Sequence, residues 1–176
     1  MKNLICLLSG IMVLLCLHAC RENKKGRNFN QAQDDRDGVT FIKNSIEGGM
    51  MEIKASGMVI TNSNNQKVIS LAKMMIDDHT KLGDELKQLE KEKKISETDT
   101  LSNSHQQMIR DLSKKSGKAF DKMYLQMMVA DHEQAVKLFT SAAGNSDSAI
   151  KKIAAGNLST IKMHLDSANA ICVGLK

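Results

Sequence analysis

The sequence predicts an all-α fold: an antiparallel four-helix bundle with a short extra helix between the second and third main helices. Three observations carry that expectation. The 176-residue chain contains no proline, and its long segments are rich in Leu, Met, Ala, Lys and Glu. Apolar residues recur in those segments at three- and four-residue steps, the period of a helix with one buried face. Only short polar stretches separate the segments, so successive helices are expected to lie antiparallel as neighbours.

The N-terminus predicts export. Met1 and Lys2 precede a run from Leu4 to Leu17 that is apolar except for Ser9 and Gly10. Residues 1–19 therefore read as a signal peptide, too short for a membrane span. The run ends at Leu17-His18-Ala19-Cys20, which resembles the lipobox of bacterial lipoproteins and makes Cys20 the expected lipidation site. An ordinary cleaved signal or a short membrane anchor is the alternative. Arg21 rather than aspartate follows the cysteine, which in the usual sorting of such lipoproteins favours the outer membrane, with the domain facing the periplasm. The expected partner is thus the membrane, reached through an N-terminal lipid.

Residues 20–36 are expected to form a lipid-anchored flexible tether, being polar except for Gly26, Phe29 and Ala32. The bundle domain is expected over 37–176, long enough for one real core. The formal charge of +5 falls to +4 once Lys2 leaves with the signal, and the remaining charges are interspersed. With 3% aromatic residues and no Trp, that distribution argues against a nucleic-acid partner. Of the four cysteines, Cys6 and Cys16 leave with the signal and Cys20 takes lipid. Cys172 remains alone, so no intrachain disulfide is expected, and its place on an apolar stripe predicts a small core residue.

Each helix has its own signature. Asp37 is a candidate cap for a first helix running to about Ile60, with Ile42, Ile46, Met50, Ile53 and Gly57 on one face. The cluster from Asn62 to Asn65 is a turn and supplies the next cap. The second helix, about Gln66 to Lys93, carries Val68, Leu71, Met75, His79, Leu82, Leu86 and Leu89 inward. A polar stretch and a short helical segment from Leu101 follow. The third main helix, about Lys118 to Ala143, carries Phe120, Tyr124, Met128, His132, Ala135, Phe139 and Ala142 inward. Gly144-Asn145-Ser146 is expected to end it and to cap the last helix, which continues to about Val173. The final stripe includes Ile150, Ala154, Ile161, His164 and Ala168.

A six-residue pattern occurs twice on these helices, as Met74-Met75-Ile76-Asp77-Asp78-His79 and as Met127-Met128-Val129-Ala130-Asp131-His132. Each copy sets a histidine on an apolar face, and His164 adds a third. Imidazole is costly to bury without a ligand or a hydrogen-bonding network.

Residues 37–173 resemble the bacterial domain-of-unknown-function family numbered 4142. The matching pieces are Gly48-Gly49-Met50-Met51-Glu52-Ile53, Met75 to His79, Phe120-Asp121 with Tyr124 and His132, and Leu158 to Leu165. Relatives commonly have a proline where this chain has Ser159, a departure that concerns helix path rather than a candidate ligand. The resemblance implies an exported protein with a ferritin-like bundle, and implies no established activity.

Two functions follow as expectations. The first is a metal-binding or metal-sensing envelope protein, with His79, His132 and His164 as ligands, Glu52 as a fourth, and iron, zinc, manganese or copper as the ion. Met75 and Met128 each precede a histidine by four residues and share its face, which would suit copper. The second is a non-catalytic envelope or stress-related interaction module, in which Asp121, Tyr124 and Glu52 satisfy the imidazoles as a structural network. Asp78 and Asp131 read as flanking surface charges or as groups that support a ligand, and His105 as solvent-exposed. The domain has no Glu-x-x-His, which argues against a carboxylate-rich di-iron centre. No phosphate loop or nucleophile motif points to catalysis. Residue counting raises one objection to a shared site: from the intervening turns, Glu52 and His79 differ by roughly 7 Å in axial level, and His132 and His164 by roughly 9 Å.

Overall fold

The computed structural model describes the backbone of residues 12–98 and 100–175, with side chains from residue 31 onward. It is all-α, with no strand among the described residues: α1 (Met12–Asn62), α2 (Gln66–Glu92), α3 (Asn103–Ser113), α4 (Gly117–Ala142) and α5 (Ser148–Gly174). Of the expected signal peptide, residues 1–11 lie outside the described residues, as does the side chain of Cys20. Among the described residues no helix is long and apolar enough to cross a membrane.

The chain divides at Arg36/Asp37 into two compact units, and everything from Asp37 onward forms the second. The first helix does not start at an Asp37 cap. It begins at Met12 and runs through that position, because no proline interrupts the segment and its Lys, Arg, Asn, Gln and Glu residues tolerate a helix. Within the second unit Gly38 is needed for packing, since a Cβ there would collide with the tip of Ile150 on α5.

The stripe of α2 is buried as expected, from Val68 to Leu89. That of α1 is not. Met50 and Ile53 are half-buried and Gly57 is exposed, while Met51, Glu52, Ala55, Ser56 and Val59 face inward. Four-residue steps advance about 400°, so a stripe extended from Ile42 by such steps drifts about 40° each time and leaves the face.

Helix ends are fixed by local hydrogen bonds. Asn65 accepts from Lys67 N at 3.0 Å and starts α2, and Ser102 accepts from His105 N at 3.3 Å and starts α3. Gly117, at φ 56°, occupies the left-handed region at the start of α4. Asp147, rather than the Gly144-Asn145-Ser146 stretch, caps α5 by accepting from Ala149 N at 3.0 Å and Ile150 N at 3.2 Å. Asn145 acts one step earlier, accepting from Asp147 N at 2.8 Å. The end of α2 is a Schellman turn, with Lys94 N donating to Lys91 O and Ile95 N to Glu90 O. Its left-handed residue is Lys94, at φ 56°.

The core has two apolar clusters. One contains Met51, Val59, Val68, Leu71, Met75, Phe120 and Met128. The other contains Phe41, Ile46, Leu82, Leu86, Phe139 and Ile161. On α2, α4 and α5 the candidate histidine falls between the two sets in sequence: His79 between Met75 and Leu82, His132 between Met128 and Phe139, and His164 between Ile161 and Ala168.

Candidate metal centre

Each of the four long helices delivers one polar side chain to the same place. Glu52 comes from α1, His79 from α2, His132 from α4 and His164 from α5, and all are buried, with exposures of 4%, 5%, 0% and 0%. One candidate ligand atom from each histidine lies within 4.8 Å of the others. The ring centroids are separated by 5.5, 5.2 and 5.2 Å.

The axial objection fails for a directional reason. Side chains lean toward the N-terminus of their own helix. Glu52 and His132 precede their turns, so they lean away from them. His79 and His164 follow the turns, so they lean back toward them. Both offsets have the sign that this lean reduces, and the 2.8 Å contact between His79 Nε2 and Glu52 Oε2 shows them closed.

The hydrogen bonds assign the imidazole protons. His132 Nδ1 lies 2.9 Å from Met128 O, which can only accept, so Nδ1 carries the hydrogen. Glu52 Oε1 lies beside the same nitrogen at 3.1 Å. His164 Nε2 lies 3.0 Å from Asp78 Oδ2, again an acceptor, so Nε2 carries the hydrogen there. In neutral rings the remaining nitrogens, His132 Nε2 and His164 Nδ1, are both lone pairs, and they face each other at 3.2 Å. Two lone pairs at this distance repel each other unless a proton bridges them or a metal ion binds both from beside the line that joins them. A proton would serve, but burial pushes both imidazoles below their usual range, a shift only partly opposed by Glu52 at His132 and by Asp78 at His164.

The third imidazole is also incompletely satisfied. His79 Nε2 makes no aligned hydrogen bond, despite its 2.8 Å approach to Glu52. Burial disfavours its charged form, but the Glu52 and Asp78 carboxylates outweigh burial and hold the imidazole above its usual range. For Glu52 itself, burial would raise the carboxyl; the charges of His79 and His132 outweigh that and hold it at about 2.

These donors fit a transition-metal ion. Two nitrogens bound tetrahedrally at 2.0–2.1 Å are about 3.3 Å apart, close to the observed 3.2 Å. The widest ligand spacing, 4.8 Å, must close by about 1.5 Å to reach that geometry. The other ring nitrogens of His132 and His164 already donate to a carbonyl and a carboxylate, the arrangement that orients histidine ligands in metal sites.

Other expected participants sit elsewhere. Tyr124 pairs with Ser56, Oη to Oγ at 2.8 Å, rather than with an imidazole. Asp121 is buried with Oδ1 lacking a hydrogen bond. Met75 and Met128 pack in the first apolar cluster, and Met128 serves the site through its backbone carbonyl. Asp78, read from sequence as a flanking charge or a supporting group, takes the supporting role at His164. His105 is only partly exposed, at 21%, with Nδ1 2.7 Å from Glu47 Oε1. Asp131 is half-buried outside the triad, and burial together with the charge of Glu52 pushes its carboxyl up to about 6. Neither Glu47 nor its pairing with His105 was signalled by spacing, because the two lie on different helices 58 residues apart.

The sequence match over residues 24–171 is to the family described as a domain of unknown function, DUF4142. The chain belongs to that family. No curated protein matches this DUF4142 chain. Among solved structures it is similar to a DUF305 fragment from Deinococcus radiodurans, with TM-score 0.70, 14% identity, and coverage of 79% of this chain and 97% of that one. It is also similar to CopM in the Cu(II)-bound form, with TM-score 0.68, 15% identity, and coverage of 79% and 97%. At such identities the likeness is one of fold.

Proposed function

We propose that this DUF4142 protein is an exported lipoprotein whose ferritin-like, antiparallel four-helix bundle holds one divalent transition-metal ion. His79, His132 and His164 are the ligands, with the Glu52 carboxylate beside them as a fourth. The observation that carries this reading is the pair of facing lone pairs on His132 and His164, 3.2 Å apart in a site from which water is largely excluded. Imidazole donors suit zinc, copper and iron. The Cu(II)-bound state of CopM, a structural neighbour, puts copper first among the ions to test. The role is binding or sensing rather than turnover. A single buried glutamate with three imidazoles is too poor in carboxylate for a di-iron centre.

The test is direct. The purified protein should retain one equivalent of Cu(II) or Zn(II), and joint replacement of His79, His132 and His164 by Ala should abolish it. Metal at 100 times its Kd should stabilise the wild type by about 2.7 kcal/mol. A melting temperature indifferent to copper, zinc, iron and manganese sinks the reading.

A second reading has its own support: every imidazole lies within 3.2 Å of a protein acceptor. In that case the histidines form a structural network in a non-catalytic envelope or stress-related interaction module. Full stability without metal, unchanged on chelation, would favour it. Lipid attachment at Cys20 and an outer-membrane, periplasm-facing location belong to the same proposal. Cys20→Ala should abolish incorporation of labelled palmitate and release the protein from membranes.

A further inference from the structure

Two of the triad's imidazoles, His132 and His164, are wholly buried, and the third, His79, is slightly exposed. A cavity of about 610 Å³ touches His79 and Glu52 and continues past Asp131 to Glu47 and His105. Glu47 and His105 are about one-fifth exposed, so they stand where the cavity meets solvent. Deeper in, Asp131 Oδ2 is buried without a hydrogen bond, within electrostatic reach of Glu47, His105 and Glu52. Also on the lining, His79 is 5% exposed, and its Nε2 lies 2.8 Å from Glu52 Oε2 without an aligned hydrogen bond. Metal-binding side-chain types thus line the whole route from mouth to triad. The one opposing charge on the lining, Lys137, is exposed.

Glu47 is held in place independently of any ion. Its Oε1 accepts from Ser102 N at 2.7 Å and lies 2.7 Å from His105 Nδ1. The first turn of α3 therefore fixes a carboxylate of α1 at the cavity mouth. Three carboxylates along a cleft with apolar walls focus the field and raise the local concentration of cations.

We propose that this cavity is the loading path of the triad, with Glu47, His105 and Asp131 as a transit site that passes a hydrated divalent cation inward to His79 and Glu52. The proposal rests on the metal-binding reading of the triad. A path changes how fast the ion enters and leaves without changing where it rests. Association and dissociation should slow together, and the equilibrium constant should hold.

The experiment follows Cu(II) loading of the full chain in detergent by stopped flow, using the ligand-field absorbance of the bound ion. The double variant Glu47→Gln/Asp131→Asn should load and release about tenfold more slowly, with Kd within about threefold of wild type, and should lose most of the salt dependence of its association rate. Gly48→Phe provides a second arm without a charge change. Gly48 lines the cavity, and a Cβ there meets nothing within 4 Å, so the ring should obstruct the route and slow both rates in the same way. If the double variant loses its helical circular dichroism, Gly48→Phe decides. A wild type that takes up no Cu(II) overturns the metal reading and this inference with it. A wild type that binds, alongside variants that load at its rate, overturns the inference alone.

Discussion

Among the buried polar pairs that cross between the helices, two differ in kind. Ser56 and Tyr124 face each other at 2.8 Å, and His132 and His164 at 3.2 Å; all four residues are 0% exposed. Each hydroxyl of the first pair can donate and accept, so one hydrogen satisfies the contact whichever side provides it. Burial raises the Tyr124 phenol, with Glu52 adding to the effect despite the hydrogen bond to Ser56, so the hydrogen stays in place. In the second pair both hydrogens are committed outward, to Met128 O and Asp78, and the inner nitrogens are left as acceptors. Equal burial therefore has different meanings. Donor–acceptor balance, rather than depth, separates a structural pair from a candidate ligand site.

The comparison can be broken first at the histidine layer. His79→Ala removes the imidazole beside a buried carboxylate that stays ionised. We expect a loss of about 3–5 kcal/mol in the metal-free protein by urea unfolding, together with loss of metal uptake. Unchanged stability would mean that Glu52 is not coupled to the triad. Tyr124→Phe is the counterpart. It leaves the Ser56 hydroxyl without its partner and should cost about 1–3 kcal/mol, while metal stoichiometry stays at the wild-type value. A Tyr124→Phe protein that no longer binds metal would merge the two pairs into one network.

Two smaller effects lie outside both pairs and calibrate them. Asp147→Ala removes the α5 cap and should cost about 1 kcal/mol at neutral pH, read as a fall in melting temperature. The Lys93 hydrogen bond, with the backbone N–H groups of Ile150 and Ala149, lowers the Asp147 carboxyl against a small opposing effect of burial. Because the folded value is depressed, this contribution is complete above the ordinary 3.8 and fades as pH falls through the folded value. The gap between wild type and variant should therefore close in acid. The smallest effect has the opposite sign. Lys94→Gly relieves a left-handed lysine at φ 56° and should stabilise the protein by about 1 kcal/mol. Metal affinity should be unmoved in both variants.

Much of this molecule was legible in its sequence. Absence of proline and the three- and four-residue period specify long helices, and the repeated Met-Met-x-x-Asp-His pattern puts His79 and His132 on their buried faces. The first helix was legible only in part. Its apolar residues Met50, Met51 and Ile53 flank Glu52 on both sides, so periodicity alone did not say which of them turns inward; the buried line passes through Met51, Glu52 and Ala55. The pairing of His105 was missed because its partner, Glu47, is distant in sequence. The role of Asp78 was left open for a similar reason, since the acceptor for His164 lies 86 residues away.

The sequence by itself determined that His79 and His132 lie on buried helix faces, because a 3.6-residue period dictates a face. It did not determine that Glu52, His79, His132 and His164 share one level. Residue counts argued against that, and only the packed helices, with side chains leaning toward their N-termini, closed the offsets. Nor did it determine that two of the imidazoles meet lone pair to lone pair. That depends on which acceptor each outer nitrogen finds, and those acceptors come from helix packing around the site rather than from any local spacing.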